Sequence, residues 1–190
     1  LLVNGGEEQP SRITRYLAEL NKRAGSLSIY LLNSTGHVVA TSNWDQPDSF
    51  LGEDLSYRPY FHEALAKQTG RFFGIGTTRG QPGYYLSSPI LADERLLGVA
   101  VVKVSLEQLE TSWSTVEAPV LVTDENGVVI LASVPSWKFT TLTPLSEERR
   151  SELAQSLHYN ARPLPPLGLQ SQGSVGSENA EIVQLVRPVA

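Results

Sequence analysis

Apolar positions recur along this chain with two different periods. In residues 11–23, Ile13, Tyr16, Leu17 and Leu20 return at three- and four-residue steps, which predicts a helix ended by Gly25. LSIYLL and HVVATS then read as two strands joined by the turn residues Asn33, Ser34, Thr35 and Gly36. Residues 57–67 are predicted as a second helix, with Pro59 in its first turn and Gly70 just past its end. Three more strands follow, RFFGIGTT, GYYLSSPIL and LLGVAVVKV, separated by RGQPG and ADER. The short helix SLEQLETSW closes this half.

The second half opens in the same way. PVLVTDENGVVILAS superimposes on the first hairpin without gaps: Leu31, Leu32 and Asn33 on Val122, Thr123 and Asp124, Gly36 on Gly127, Val38 on Val129, and Ser42 on Ser133. Any two hairpins share some of this, but a register match over the whole hairpin favours a structural repeat. Residues 146–158 place Leu153 and Leu157 on one face of a helix. Residues 161–179, rich in Pro, Gly and Ser, read as a loop, and EIVQLVRPV returns as a last strand. Strand, strand, helix and three antiparallel strands predict an α+β fold: a PAS-like module given twice, the second copy reduced.

The 190 residues allow one large domain or two small ones, and 41% hydrophobic content suffices for a core. A net charge of -5 argues against a nucleic-acid surface, so any anion site has to be local. The lack of cysteine excludes disulfides, zinc–thiolate sites and thiol catalysis. No methionine occurs, even at the first position, which is expected of a piece of a longer chain. No apolar run approaches the roughly 20 residues of a membrane span, and no signal peptide is visible.

Two cations stand out. Arg58 lies among Tyr57, Tyr60 and Phe61 at a predicted helix N-terminus, where its planar fork and the backbone N–H groups both suit a carboxylate. The alternative is a surface salt bridge to Glu53, Asp54 or Glu63. Lys103 interrupts the apolar strand LLGVAVVKV, and alternation places it on one face with Val99 and Val101. There it meets a ligand anion, pairs with an acid or, snorkelling from the strand end, reaches solvent. Thr77, Thr78, Tyr84, Tyr85, Ser87 and Ser88 supply hydroxyls, while Gly74 and Gly76 permit close backbone approach; ordinary hairpin strands carry such residues too. His37, His62 and His158 are scattered, and neither an HExxH nor a GxSxG motif occurs, so an enzyme is not expected. Trp44, Trp113 and Trp137 are assigned to packing.

SNWDQPDSFLGEDLSYRPYFHEALA, GRFFGIGTTRGQPGYYLSSPI, LGVAVVKVSLEQLE, VTDENGVVILAS and RPLPPL together resemble the periplasmic sensor domains of four-carbon dicarboxylate transport sensor histidine kinases (DctB type). The likeness runs over residues 11–168. It implies a tandem PAS-like (double Cache, PDC) fold with antiparallel sheets. Residues 1–25 would be an N-terminal helix remnant, 26–115 the membrane-distal ligand-binding module and 116–190 the membrane-proximal module. It implies that succinate, fumarate or malate is held by Arg58, Thr77 and Lys103, with Tyr60, Tyr85 and Ser87 as helpers. No catalytic residue, cofactor, metal or nucleic acid is expected in this fragment. The implied parent is a periplasm-facing, homodimeric kinase anchored by flanking membrane helices. Family members often carry an aromatic residue where this chain has Leu55. The alternative is a Cache sensor of a chemoreceptor or another kinase, binding a different small carboxylate or an amino acid. An ammonium group would then need an acid, and near the clamp the sequence offers only Asp93 and Glu94.

Overall fold

Helix α1 (Glu8–Ala24) ends where predicted, at Gly25, whose φ of 63° takes the chain out of the helix. The computed structural model describes the backbone of residues 8–113, 118–168, 170–177 and 180–186, and the side chains of residues 12–113 and 118–168. The chain divides into two compact units, Leu1–Leu109 with Arg150–Ala161, and Glu110–Arg149 with Arg162–Ala190.

In the first unit, β1 (Ser28–Asn33), β2 (Val38–Thr41), β3 (Gly70–Ile75), β4 (Pro82–Ala92) and β5 (Arg95–Val104) form one antiparallel sheet in the order β2-β1-β5-β4-β3. The first and last strands thus meet in the middle, the PAS-like arrangement the element order predicts. On one face Leu17 of α1 is buried with Ile29 and Ala40. On the other, α2 (Pro59–Leu65) buries Tyr60, Phe61 and Ala64 against Tyr30, Leu32, Phe72, Tyr85, Val99 and Val101. Pro59 starts α2, where its missing N–H costs nothing.

The stop signal differs from the expected one. Helix α2 ends at Leu65, and the residue that turns the chain is Lys67, at φ 59°. Gly70 instead opens β3, where a Cβ would lie 2.7 Å from Glu63 Oε2 and 2.9 Å from the Tyr60 carbonyl oxygen. The glycine is there for close approach and not for a helix cap. Trp44, assigned to packing, is 41% exposed.

The second unit repeats the first hairpin bond for bond in β6 (Leu121–Thr123) and β7 (Val129–Ala132). Asn33 Oδ1 accepts from the backbone N–H of Thr35 and His37, and Asp124 Oδ1 from those of Asn126 and Val128. Gly36 and Gly127, at φ 90° and 71°, each donate to the carbonyl three residues back. The register slips between Leu31 and Leu32 and again between Val122 and Thr123. Ser42 and Ser133 each close the far end with a backbone N–H donated across the pair and a hydroxyl oxygen that accepts, and the Ser133 hydroxyl also donates to the Val120 carbonyl. The likeness continues past the hairpin, since Leu55 donates to the Gly36 carbonyl as Leu142 does to that of Gly127. Three residues further on, the first chain segment carries Arg58 and the second Leu145. Replacing Asn33 by alanine removes three acceptor bonds from one turn. It should cost about 1–2 kcal/mol in a denaturant melt, with ligand-site geometry unchanged.

After a 3-10 turn at Pro135–Trp137 and helix α3 (Glu147–Gln155), the tail forms β8 (Gln170–Ser177) and β9 (Ala180–Val186), paired antiparallel. β8 was expected to be loop. Its polar, glycine-bearing sequence carries no alternating signal, but backbone pairing with β9 does not require one.

Candidate ligand-binding site

The site is built where the N-terminus of α2 meets the middle of the sheet. Arg58 takes the N-cap position in an extended conformation, with φ -75° and ψ 136°. Its backbone N–H donates to Leu55 and its carbonyl accepts from Phe61, so the side chain leaves the helix start in one fixed direction. Only 2% of the residue is exposed. One guanidinium nitrogen donates to the Ile75 carbonyl at 3.1 Å and another to the Leu157 carbonyl at 3.2 Å. The rings of Tyr57 and Phe72 lie 5.0 and 5.7 Å from its central carbon. The surface salt bridge to Glu53, Asp54 or Glu63 does not form; among the described residues Arg58 has no ion pair. Leu157 reaches it from a turn in which Leu157, Asn160 and Ala161 all have positive φ.

Lys103 is on the core face with Val99 and Val101, as alternation predicts, and is also 2% exposed. The snorkelling alternative therefore fails. Its ammonium donates to the Gln81 carbonyl at 2.7 Å and lies 5.4 Å from the Tyr85 ring centre, across the strand pair. Burial, and then the charges of Arg79 and Arg58, lower its pKa to about 8. The stem runs over Gly83, where a Cβ would come within 2.9 Å of Lys103 Cγ.

Tyr60 and Tyr85 stack at 5.4 Å, and the Tyr60 hydroxyl meets that of Tyr30 at 2.9 Å. Burial raises all three phenols, Tyr85 to about 12, so they serve as neutral hydrogen-bond donors. Ser87 donates to the Tyr60 carbonyl at 2.8 Å. A hollow of about 280 Å³, its open mouth included, is lined by Arg58, Tyr60, Tyr85 and Thr77, among others. Of the six residues expected at the site, these four line it. Lys103 lies just behind, its ammonium 3.2 Å from where a Gly76 Cβ would be, and Ser87 sits behind Tyr60.

No family model matches the chain. It is 42% identical over 154 residues to the C4-dicarboxylate transport sensor protein DctB of Pseudomonas aeruginosa, covering 81% of this chain and 25% of that one. It is 38% identical over 162 residues to the DctB of Rhizobium meliloti, covering 84% and 26%. The crystal structure of the V. cholerae histidine kinase DctB sensor domain superimposes with a TM-score of 0.83 at 33% identity, over 96% of this chain and 69% of that one. The chain belongs to the DctB sensor-domain family.

This sensor domain spans about a quarter of the length of the curated relatives it matches. Its fold is the PAS-like, Cache type expected. None of its described helices is long and apolar enough to cross a membrane, and no group of potential metal ligands occurs among the described residues.

The sequence names Glu53 only as a possible salt-bridge partner of Arg58, not as an acid of the ligand site. The acids expected near the clamp, Asp93 and Glu94, lie in the two-residue β4–β5 turn at φ 48° and 64°. The acid lining the hollow is Glu53, contributed by the segment between β2 and α2. Its one signal was position: Leu55, two residues on, is buried and lines the same hollow.

Proposed function

We propose that the domain is an extracytoplasmic receptor for four-carbon dicarboxylates such as succinate, fumarate or malate. It acts within a homodimeric, membrane-anchored histidine kinase that controls dicarboxylate uptake. Residues 26–115, joined by the segment 150–161 that folds with them, form the ligand-binding module, and the rest of 116–190 the membrane-proximal module that passes the signal on, behind the helix remnant of residues 1–25. The observation that carries this reading is Arg58, a buried guanidinium whose described hydrogen-bond partners are carbonyls and not a carboxylate. A buried cation without a counter-ion is costly unless an anion joins it. Leu145 at the corresponding position of the second unit supports binding in the first.

In this reading Arg58 grips one carboxylate. Lys103, turning from the Gln81 carbonyl, takes the other. Thr77, Tyr60 and Tyr85 donate from their hydroxyls, and Ser87 fixes Tyr60 from behind. Charge-assisted hydrogen bonds contribute about 1.5–3 kcal/mol each, and micromolar affinity needs about 8 kcal/mol. Two cations and two hydroxyls suffice.

Calorimetric titration tests the proposal. At pH 7, succinate, fumarate or malate should bind with a Kd between about 1 µM and 1 mM. A bound dianion raises the pKa of Lys103 above its unliganded value of about 8. Binding therefore takes up a proton at higher pH, and Kd should rise by up to tenfold per pH unit above about 8. No heat with any of the three acids in a folded sample would sink the reading. A Kd that stays flat to pH 10 would remove Lys103 from the site.

A further inference from the structure

An anion pocket should not contain a carboxylate, yet Glu53 lines this one beside Arg58, Thr77 and Tyr85. Its backbone is fixed by the bond from the Val38 N–H to the Glu53 carbonyl at 2.9 Å. Its carboxylate accepts from one described group, the Thr78 hydroxyl, at 2.6 and 2.9 Å to the two oxygens. An ionised carboxylate has about four acceptor positions, so most of its capacity is unfilled by described groups. The cations around the hollow are engaged elsewhere. Arg79 pairs with Asp48 and Gln46, Arg58 with two carbonyls, and Lys103 with the Gln81 carbonyl. Among the described residues Glu53 has no ion pair. Its charge reaches into the hollow, adding to the rise of the Tyr85 phenol, which burial chiefly causes and Arg58 opposes.

We propose that Glu53 sets the ligand class, selecting four-carbon dicarboxylates that carry a hydrogen-bond donor on carbon 2, a hydroxyl or an ammonium, over the unsubstituted diacid. This rests on the dicarboxylate reading of the same hollow. With Arg58 and Lys103 taking the two carboxylates, Glu53, which lines the same hollow, is left to meet the carbons between them. A methylene there strips water from the acceptor and gives nothing back. A hydroxyl or ammonium replaces the lost hydrogen bond, and an ammonium also meets the opposite charge. Sites built around a polar group discriminate in this direction, because the ligand lacking the donor leaves a protein group unpaired.

The experiment compares calorimetric Kd values of succinate, malate and aspartate for the protein, Glu53→Ala and Glu53→Gln. The unaltered protein should bind malate and aspartate at least about tenfold more tightly than succinate. Glu53→Ala should bring all three within about threefold, with succinate itself bound more tightly. Glu53→Gln, which keeps a side chain for Thr78 to meet, should lose the preference for aspartate while retaining part of that for malate. If Glu53 only ties down Thr78, its loss weakens all three ligands alike and the ratios stay put, which overturns the proposal. So does a preference for succinate in the unaltered protein. If none of the three acids binds that protein, the dicarboxylate reading itself fails, and this inference with it.

Discussion

A Lys103→Met protein is expected to lose more than about 100-fold in affinity for succinate and yet to melt at a higher temperature. Methionine follows the lysine stem over Gly83 without bringing a charge into the sheet. The sign follows from the direction of the pKa shift. Folding lowers the pKa of Lys103 from 10.5 to about 8, so between those values the unfolded chain holds the extra proton and stability rises with pH. Below about pH 8 the folded protein bears the full cost of a buried ammonium. The advantage of methionine should thus be largest at pH 7, a melting temperature higher by roughly 5 °C, and should shrink towards pH 10. Thermal melts at the two pH values, with calorimetry at pH 7, decide the matter. A lower melting temperature for the variant at pH 7 would mean that the bond to Gln81 outweighs the desolvation.

Arg58→Met should lose binding as completely and move stability the other way. The guanidinium supplies the Ile75 and Leu157 carbonyls with donors and lies against two aromatic rings. Methionine leaves both carbonyls short of a partner, at about 1–3 kcal/mol for each buried group. A loss of roughly 3 kcal/mol in a denaturant melt is expected, with no binding of any four-carbon diacid. Stability equal to the unaltered protein would show that water replaces the guanidinium at both carbonyls. The two buried cations thus differ in kind. One holds the fold together as it waits for an anion, and the other strains it.

The parts of this site that were legible in the sequence are those governed by local rules. Two-residue alternation placed Lys103 on the core face because β5 runs without a bulge from Val99 to Lys103. Pro59 placed the start of α2 to within two residues, and with it Arg58 at the helix N-terminus. The repeated hairpin was visible because Asn33 or Asp124 followed three residues later by glycine specifies the turn by side-chain chemistry. What depended on contacts across the chain was not legible. Glu53 comes to the hollow on an irregular segment, where no period says which way a side chain points. Lys67 turns the chain at positive φ although nothing in its side chain favours it, so the nearby glycine looked like the cap. The hydrogen bond between Arg58 and Leu157 joins residues 99 apart in sequence, and no local signal couples them.

That separation bears on how the protein is made. Ribosomes add about 5–20 residues per second, so Leu157 is polymerised roughly 5–20 seconds after Arg58. During that interval the sheet can form, because β1 to β5 are complete by Val104, but one of the two carbonyls that hold the guanidinium does not yet exist. The nascent first unit has to keep Arg58 in water or tolerate it half-solvated among Tyr57 and Phe72. The first unit is therefore closed by a segment made only after residues 110–149 of the second.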